Sequence, residues 1–597
     1  MMATEYIRLR GIGVSPGIAL GLVQLEEQVV FSDRKESITF AQIKEEIQRL
    51  QRSFEATKQE IIEIKNQVKD KLGKEHAFIF EAHLMILEDQ SLREEIENLI
   101  KKEKVRAEWA IATVHNHYMR VFETLEDEYF RQRRFDLSDV LSKVYRHLQP
   151  YSPETVDEEG ERILVAHELL PSEAARKLNK GNILGVALDM GGQTSHTAIL
   201  ARSLNIPAVV GLRDITTKVQ DGDVIIVDGT DGEVIINPPL AIRKEFLSKK
   251  RKYDDYLKEL RKTSTLVSET LDGFRFTPLA NIELPEEISL AFSLGAEGIG
   301  LFRSEFIYLR STTIPSEQDH YHIYSQIAKK AYPSPVYIRT IDIGGEKNIP
   351  QLNIEREPNP ALGLRAIRFS LKNRKIFKTQ LRAILRASVQ KNVRLLIPMV
   401  TEIEEIEEVK WILREVKDEL KREKVDFDPA IPLGIMIEVP AAATLVDEMI
   451  KEVDYVSIGT NDLIQYYLAV DRSNELVAYL YKPLHPSLLR LLEEIINHVS
   501  EAGKEVTVCG EMAADPLSAL LLLGLGLKYF SMNPIFIPKI KKVLRSVEKN
   551  YLAELVSEAL KLRTAQAIEE FLLEKILVKY PQAFLMREIM DNNRRLT

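Results

Sequence analysis

Hydrophobic positions change their period several times along the chain, and each change marks a different kind of element. Residues 6 to 25 carry short β-branched runs interrupted by Gly11, Gly13, Gly17 and Gly21, which reads as strands around a turn. From about 37 to 148 the spacing becomes helical, and Gly and Pro nearly vanish. Ile43, Ile47, Leu50, Phe54, Ile61, Ile64 and Val68 fall in steps of four and three, with Thr57 the one gap, and give a long helix one apolar face. The seam ends after about four heptads at Gly73, which favours a helical hairpin packed within a domain over a free-standing coiled coil.

After Tyr151-Ser152-Pro153 the pattern returns to strands, at 162–166, 185–188, 208–210, 224–227 and 233–236, and Pro238-Pro239 closes the series. The charged run from 241 to 267 suits an exposed linker helix. Beyond 270, eight apolar runs (274–280, 298–302, 336–340, 393–398, 433–438, 455–458, 505–508 and 528–532) mostly alternate with helical patterns, such as 285–294, 365–388, 401–424 and 441–453. Eight β/α alternations over about 300 residues predict a TIM barrel. The expected architecture is therefore a multidomain α/β chain. A discontinuous α/β domain (1–36 and 149–240) carries an inserted helical domain (37–148), and a linker helix (241–269) leads to a C-terminal (β/α)8 barrel (270–597).

Composition adds limits. The 597 residues exceed one domain, and 45% hydrophobic with 29% charged residues is ordinary for a globular protein. A net charge of −9 argues against nonspecific nucleic-acid binding, which needs basic surface. The single cysteine, Cys509, excludes an intramolecular disulfide framework and points to a reducing compartment. The first residues lack a signal-peptide pattern, and the longest apolar run, 519–527, is far short of the roughly 20 residues that span a bilayer. A cytoplasmic protein without membrane insertion is expected.

Two groups of residues carry chemistry. In Gly191-Gly192-Gln193-Thr194-Ser195-His196-Thr197-Ala198, a Gly turn and capping hydroxyls precede a helical run, which puts His196 near a helix N-terminus. Free N–H groups and the helix dipole favour an anion there, so the imidazole is suited to carry a phosphoryl group; a His that only caps the helix is the simpler alternative. In the barrel, polar residues fall at the C-terminal ends of strands, where TIM-barrel active sites lie: Arg303, Arg339, Glu438, Asn461, Asp462, Arg472 and Cys509. Arginine forks match phosphate and carboxylate oxygens, and two carboxylates on adjacent strands suit Mg²⁺. The set fits a small, doubly anionic substrate with a divalent cation, the alternative being salt bridges around the barrel mouth. By position alone, Cys509 is either a buried structural thiol or a proton donor.

The histidine loop, continuing as Ala-Ile-Leu-Ala-Arg-Ser-Leu-Asn-Ile-Pro-Ala-Val-Val-Gly (198–211), resembles that of Enzyme I of the bacterial phosphotransferase system, the phosphoenolpyruvate–protein phosphotransferases. So do the opening strands and the barrel strings Gly-Leu-Phe-Arg-Ser-Glu-Phe, Tyr-Ile-Arg-Thr-Ile-Asp-Ile-Gly-Gly-Glu-Lys, Met-Ile-Glu-Val-Pro, Gly-Thr-Asn-Asp-Leu and Cys-Gly-Glu-Met. One departure is Gln193, where that family usually has Arg.

The resemblance implies a swivelling phosphohistidine domain in which His196 takes a phosphoryl group from phosphoenolpyruvate, releases pyruvate and passes the group to a histidine of the phosphocarrier HPr. It assigns Arg303, Arg339, Arg365, Asn461 and Arg472, with Lys347 a lesser member, to phosphoenolpyruvate, Glu438 and Asp462 to Mg²⁺, and Cys509 to proton donation. Residues 74–92 resemble the HPr-docking segment, with Met85, Ile86 and Leu92 as candidate contacts, and the barrel is expected to form a homodimer. A binding module that no longer catalyses would carry a broken site, yet all of these residues are present.

Overall fold

The computed structural model describes residues 6–26, 31–32, 34–72, 79–123, 128–149, 160–178, 181–192, 195–204, 206–309, 313–344, 352, 357–472, 474 and 476–581. The chain divides into two compact units, Met1–Asp255 and Tyr256–Thr597.

In the first unit, eight strands form one mixed sheet. In chain order these are β1 (Ile7–Arg10), β2 (Ile12–Ser15), β3 (Ile18–Glu26), β4 (Arg162–Ala166), β5 (Ile183–Leu188), β6 (Ala208–Val210), β7 (Val224–Asp228) and β8 (Glu233–Ile236). Their order across the sheet is β1-β8-β7-β3-β4-β5-β6-β2. Strand β3 runs parallel to β4, with Leu22 opposite Arg162, and antiparallel to β7, with Ile18 opposite Asp228. Two neighbouring strands thus stand on either side of a long helical segment.

That helical segment consists of α1 (Ile43–Leu72), α2 (Ile79–Glu88), α3 (Gln90–Glu103), α4 (Ala107–Glu123) and α5 (Glu128–Leu148). The expected hairpin is instead a packed group, in which α1 lies against both α2 and α5. The periodic face of α1 does point inward: Leu50, Phe54, Ile61 and Ile64 are buried, and the gap residue Thr57 is buried with them. Its hydroxyl donates to the Ser53 carbonyl at 2.8 Å, so no polar group is stranded in the core. The side chain of Val68, the residue Gly73 and residues 150–153 lie outside what the structure describes.

Two short helices cover part of the sheet, α6 (Pro171–Leu178) and α7 (His196–Ser203), before the long α8 (Leu240–Ser264). The N-terminal part of α8 is not the exposed linker its charge suggests. Phe246 is buried against Ile18, Ile226 and Ile235, and Lys249 bonds Asp228 at 2.7 Å and Asp231 at 2.5 Å. Burying a phenylalanine outweighs the solvation preference of neighbouring lysines, whose stems lie along the surface while their charges find carboxylates.

In the second unit, β9 (Thr277–Ile282), β10 (Ile299–Arg303), β11 (Val336–Arg339), β12 (Val393–Ile397), β13 (Leu433–Ile437), β14 (Tyr455–Ile458), β15 (Glu505–Val508) and β16 (Tyr529–Met532) close into a barrel in chain order. Every neighbouring pair is parallel, including β16 with β9. The strands are buried on both faces, the pattern of a sheet covered outside by helices and filled inside by side chains. Two of the expected helices are divided: 365–388 at Asn373 and 441–453 at Leu445.

Candidate functional site

The strand ends of the barrel enclose a cavity of about 260 Å³. Arg303, Arg339, Arg365, Glu438, Asn461, Asp462, Arg472 and Cys509 all line it. Arg365, which sequence spacing places between strands, joins them because it stands just ahead of the helix Ala366–Lys372. Lys347, Gln193 and Thr194 lie outside the described residues.

Buried carboxylates hold the inner arginines. Arg339, 7% exposed, donates to Glu305 at 2.8 Å and faces Asp342 at 3.2 Å. Arg365 forks onto both oxygens of Asp342 at 3.0 and 3.1 Å, bonds the Tyr466 hydroxyl at 2.9 Å and reaches Asp462 at 3.4 Å. Tyr466 in turn donates to the Ala361 carbonyl at 2.6 Å. These carboxylates raise the pKa of both guanidinium groups despite the opposing effect of burial, so both stay cationic at any working pH. The outer arginines sit more openly: Arg303 bonds Glu283 at 3.0 Å, and Arg472 bonds Glu511 at 3.2 Å. Asn461 accepts from the Glu511 amide at 2.8 Å and donates to its side chain at 3.2 Å.

The negative side of the cavity is strained electrostatically. Glu438 is 1% exposed, and one carboxyl oxygen accepts the Met399 amide at 2.7 Å. Burial first, then the charges of Asp462 and Asp342, push its pKa up, with Arg339 and Arg365 opposing. A dication between Glu438 and Asp462 would relieve that repulsion, so the donor set fits a hard divalent metal. Among the described residues no group of three or more His, Cys, Asp or Glu is arranged to hold a metal. Glu438 and Asp462 are the carboxylates that would hold such an ion, with the remaining positions open to water and substrate oxygens.

Cys509 follows β15 and is 6% exposed. Its thiol is pushed up to about 11, chiefly by burial, so it is protonated at neutral pH. Ser457 Oγ donates to its sulfur at 3.3 Å, and Asn281 holds its carbonyl at 2.9 Å. The next residue must be glycine: a Cβ at Gly510 would lie 1.9 Å from Thr460 Oγ1 and 2.9 Å from Asn461 Oδ1.

In the first unit, His196 is the first residue of α7, as its sequence suggests. Ser195 is the N-cap, and its Oγ accepts the Ala198 amide at 3.3 Å. Gly191, at φ +115°, makes the turn that precedes it. The buried Thr197 hydroxyl ties the helix to the Leu169 carbonyl at 3.2 Å. Of the three docking candidates, Met85 is 65% exposed, Ile86 is half-buried against the core and Leu92 is 4% exposed. Leu92 belongs to the core because α3 turns it inward together with Ile96 and Ile100.

Sequence reading missed Glu305, Asp342, Glu283, Glu511 and Tyr466. Asp342 stands three residues after Arg339, and a carboxylate so close to an arginine at a strand end was the available signal. The other pairings join segments 20 to 101 residues apart and left no periodic trace.

Comparison with known proteins gives three family matches: "PEP-utilising enzyme, N-terminal" over residues 10–133, "PEP-utilising enzyme, mobile domain" over 158–232, and "PEP-utilising enzyme, PEP-binding domain" over 257–549. The phosphoenolpyruvate-protein phosphotransferase of Geobacillus stearothermophilus is 40% identical over 567 residues, covering 94% of this chain and 97% of the relative. That of Haemophilus influenzae is 41% identical over 576 residues, covering 95% and 100%. Among solved structures, an NMR structure of an Enzyme I protein shares 43% identity and covers 41% of this chain and 99% of its own, with a TM-score of 0.35. No helix among the described residues is long and apolar enough to cross a membrane.

Proposed function

Since the chain belongs to the phosphoenolpyruvate-protein phosphotransferase family, its reaction is phosphoryl transfer from phosphoenolpyruvate, and we propose that His196 is the first acceptor and a histidine of the phosphocarrier protein HPr the second. The observation that carries this reading is the convergence of four arginines, two facing carboxylates and a protonated thiol on one barrel cavity, in a chain whose other unit starts a helix with a histidine.

The arginines do most of the binding. Arg339 and Arg365, fixed by Asp342 and Glu305, present N–H groups that need no reorganisation when an anion arrives; Arg303 and Arg472 close over it from the rim, with Asn461 supplying an amide. Mg²⁺, held by Glu438 and Asp462, would neutralise charge on the transferring group. The His196 imidazole must be neutral to attack. At the first turn of α7, amide N–H groups then favour the phosphorylated form. Cys509 gives its proton to the carbon of enolpyruvate, which becomes pyruvate.

One imidazole serves two partners in turn, so the unit that bears it moves between donor and acceptor. Docking of HPr on the helical segment, with Met85 as the most exposed of the expected contacts, a homodimer through the barrel, a cytoplasmic location and a role in sugar uptake complete the reading. The test is a two-step transfer. Protein labelled by phosphoenolpyruvate and Mg²⁺, then freed of both, should hand its label to added HPr. Label that stays on the protein would reject HPr as acceptor.

A further inference from the structure

The thiol of Cys509 is held on two sides. Its sulfur accepts the Ser457 hydroxyl at 3.3 Å and lies 3.6 Å from the Ile458 carbonyl, which is where its own hydrogen points. Ser457 is fully buried on β14, and the residue facing it on β15 is Thr507, two before Cys509. Around them lie the apolar side chains of Leu279, Leu301, Leu396 and Met436. A buried hydroxyl is unfavourable unless bonded, and sulfur is a weak acceptor, so a thiol is a poor partner on grounds of stability alone. The pairing is better suited to a sulfur that becomes negative during the reaction.

Resting on the proposed role of Cys509, we infer that Ser457 is a positioning residue for proton transfer, whose hydroxyl fixes the sulfur and stabilises the thiolate left when the thiol gives its proton to enolpyruvate. In that step the enolate electron pair folds into a C=O bond, the former alkene carbon takes the proton, a C–H bond forms, the S–H bond breaks and the electron pair stays on sulfur. In reverse, the thiolate removes a methyl proton from pyruvate. Three other charged groups act on the thiol: Glu438 next to β13 opposes thiolate formation, while Arg339 on β11 and Arg303 on β10 favour it. Ser457 is the hydrogen-bond donor to the sulfur and also lowers its pKa. Its hydroxyl can strengthen its bond as charge develops, which is how a donor accelerates a step rather than merely holding a ground state.

The test is hydrogen exchange into the methyl group of pyruvate, followed by NMR in D₂O with the full-length protein, Mg²⁺, phosphoenolpyruvate and pyruvate. Ser457→Ala should slow exchange roughly ten- to hundredfold, the effect of losing a hydrogen bond to a charged group. The rising limb of its pH profile should move to higher pH, because the thiolate is harder to form, and KM for phosphoenolpyruvate should stay near wild type. Cys509→Ala run alongside distinguishes loss of the thiol from loss of the hydroxyl. If Cys509→Ala exchanges normally, the thiol is not the proton donor. If Cys509→Ala is dead while Ser457→Ala matches wild type, or is slowed without a shift in the pH profile, the hydroxyl acts only in packing and the inference is overturned.

Discussion

The two ends of the barrel are built from the same residue types to opposite effect. At the N-terminal ends of the strands, Glu505 accepts from the Tyr337 hydroxyl and from Arg394 at 3.0 Å, and Arg394 also donates to that hydroxyl at 3.0 Å. The guanidinium lies 4.9 Å over the Tyr337 ring, which meets Tyr455 edge-on at 5.1 Å. At the C-terminal ends, Arg339, Arg365, Glu438 and Asp462 surround an open cavity of about 260 Å³. Aromatic rings cover the first cluster, and its charged groups bond one another within the protein. The second leaves two carboxylates and two fixed cations beside an open cavity, an arrangement that, on the proposed reading, anion and metal would complete. Charge alone does not mark a site; what marks it is charge the fold positions without saturating.

The comparison breaks most visibly if arginine is exchanged for lysine at each end. Arg339→Lys keeps the charge but loses the fork, and turnover with phosphoenolpyruvate should fall by roughly 10²–10³-fold, the scale of losing a transition-state donor. Arg394→Lys should leave turnover within about twofold and lower stability by about 1–2 kcal/mol, readable as a shift in the denaturation midpoint. Equal losses of turnover would abolish the distinction between the ends.

The acids sharpen it through pH. Both Glu438 and Glu505 have folded pKa values above the ordinary carboxylate value, Glu505 at about 7, chiefly through burial. Each therefore contributes stability that is fully present below about pH 4.5 and is lost as pH rises through the folded value. Thermal unfolding against pH should show both slopes in the metal-free protein. Added Mg²⁺ should remove the part due to Glu438 and leave the part due to Glu505. Glu438→Gln should raise the melting temperature of the metal-free protein at neutral pH while abolishing Mg²⁺-dependent turnover; Glu505→Gln should raise it without loss of turnover.

Much of this layout can be read from the chain, and the reasons it can are local. The barrel strands are largely apolar runs, and in several of them the residue that ends the strand, such as Arg303 or Arg339, or that lies just beyond it, such as Glu438 or Cys509, lines the cavity that begins there. His196 was legible because a Gly turn and a capping Ser precede it within five residues. What escaped depends on distant segments. The docking of α8 rests on Phe246 meeting a sheet formed far upstream, which its own lysine-rich surroundings conceal. The break at Asn373 interrupts a run whose apolar spacing continues on both sides, and Leu92 shares its periodicity with Ile96 and Ile100, so sequence alone could not tell core from surface there.

The smallest effect concerns how finely the open end is held. Tyr466→Phe removes the hydroxyl between Arg365 and Ala361, and KM for phosphoenolpyruvate should rise several-fold with kcat little changed, as expected for about 1 kcal/mol of lost positioning. A fall in kcat with unchanged KM would instead assign that hydroxyl to the chemistry.

The most direct measurement counts products in a single turnover. Protein mixed with labelled phosphoenolpyruvate and Mg²⁺ is quenched at intervals, the pyruvate released is measured, and the acid-labile, base-stable label is mapped by peptide. Transfer from phosphoenolpyruvate to His196 requires one pyruvate for each label, all of the label in the peptide containing His196, and neither product from His196→Ala. Pyruvate formed without label, or label on a different histidine, would contradict it.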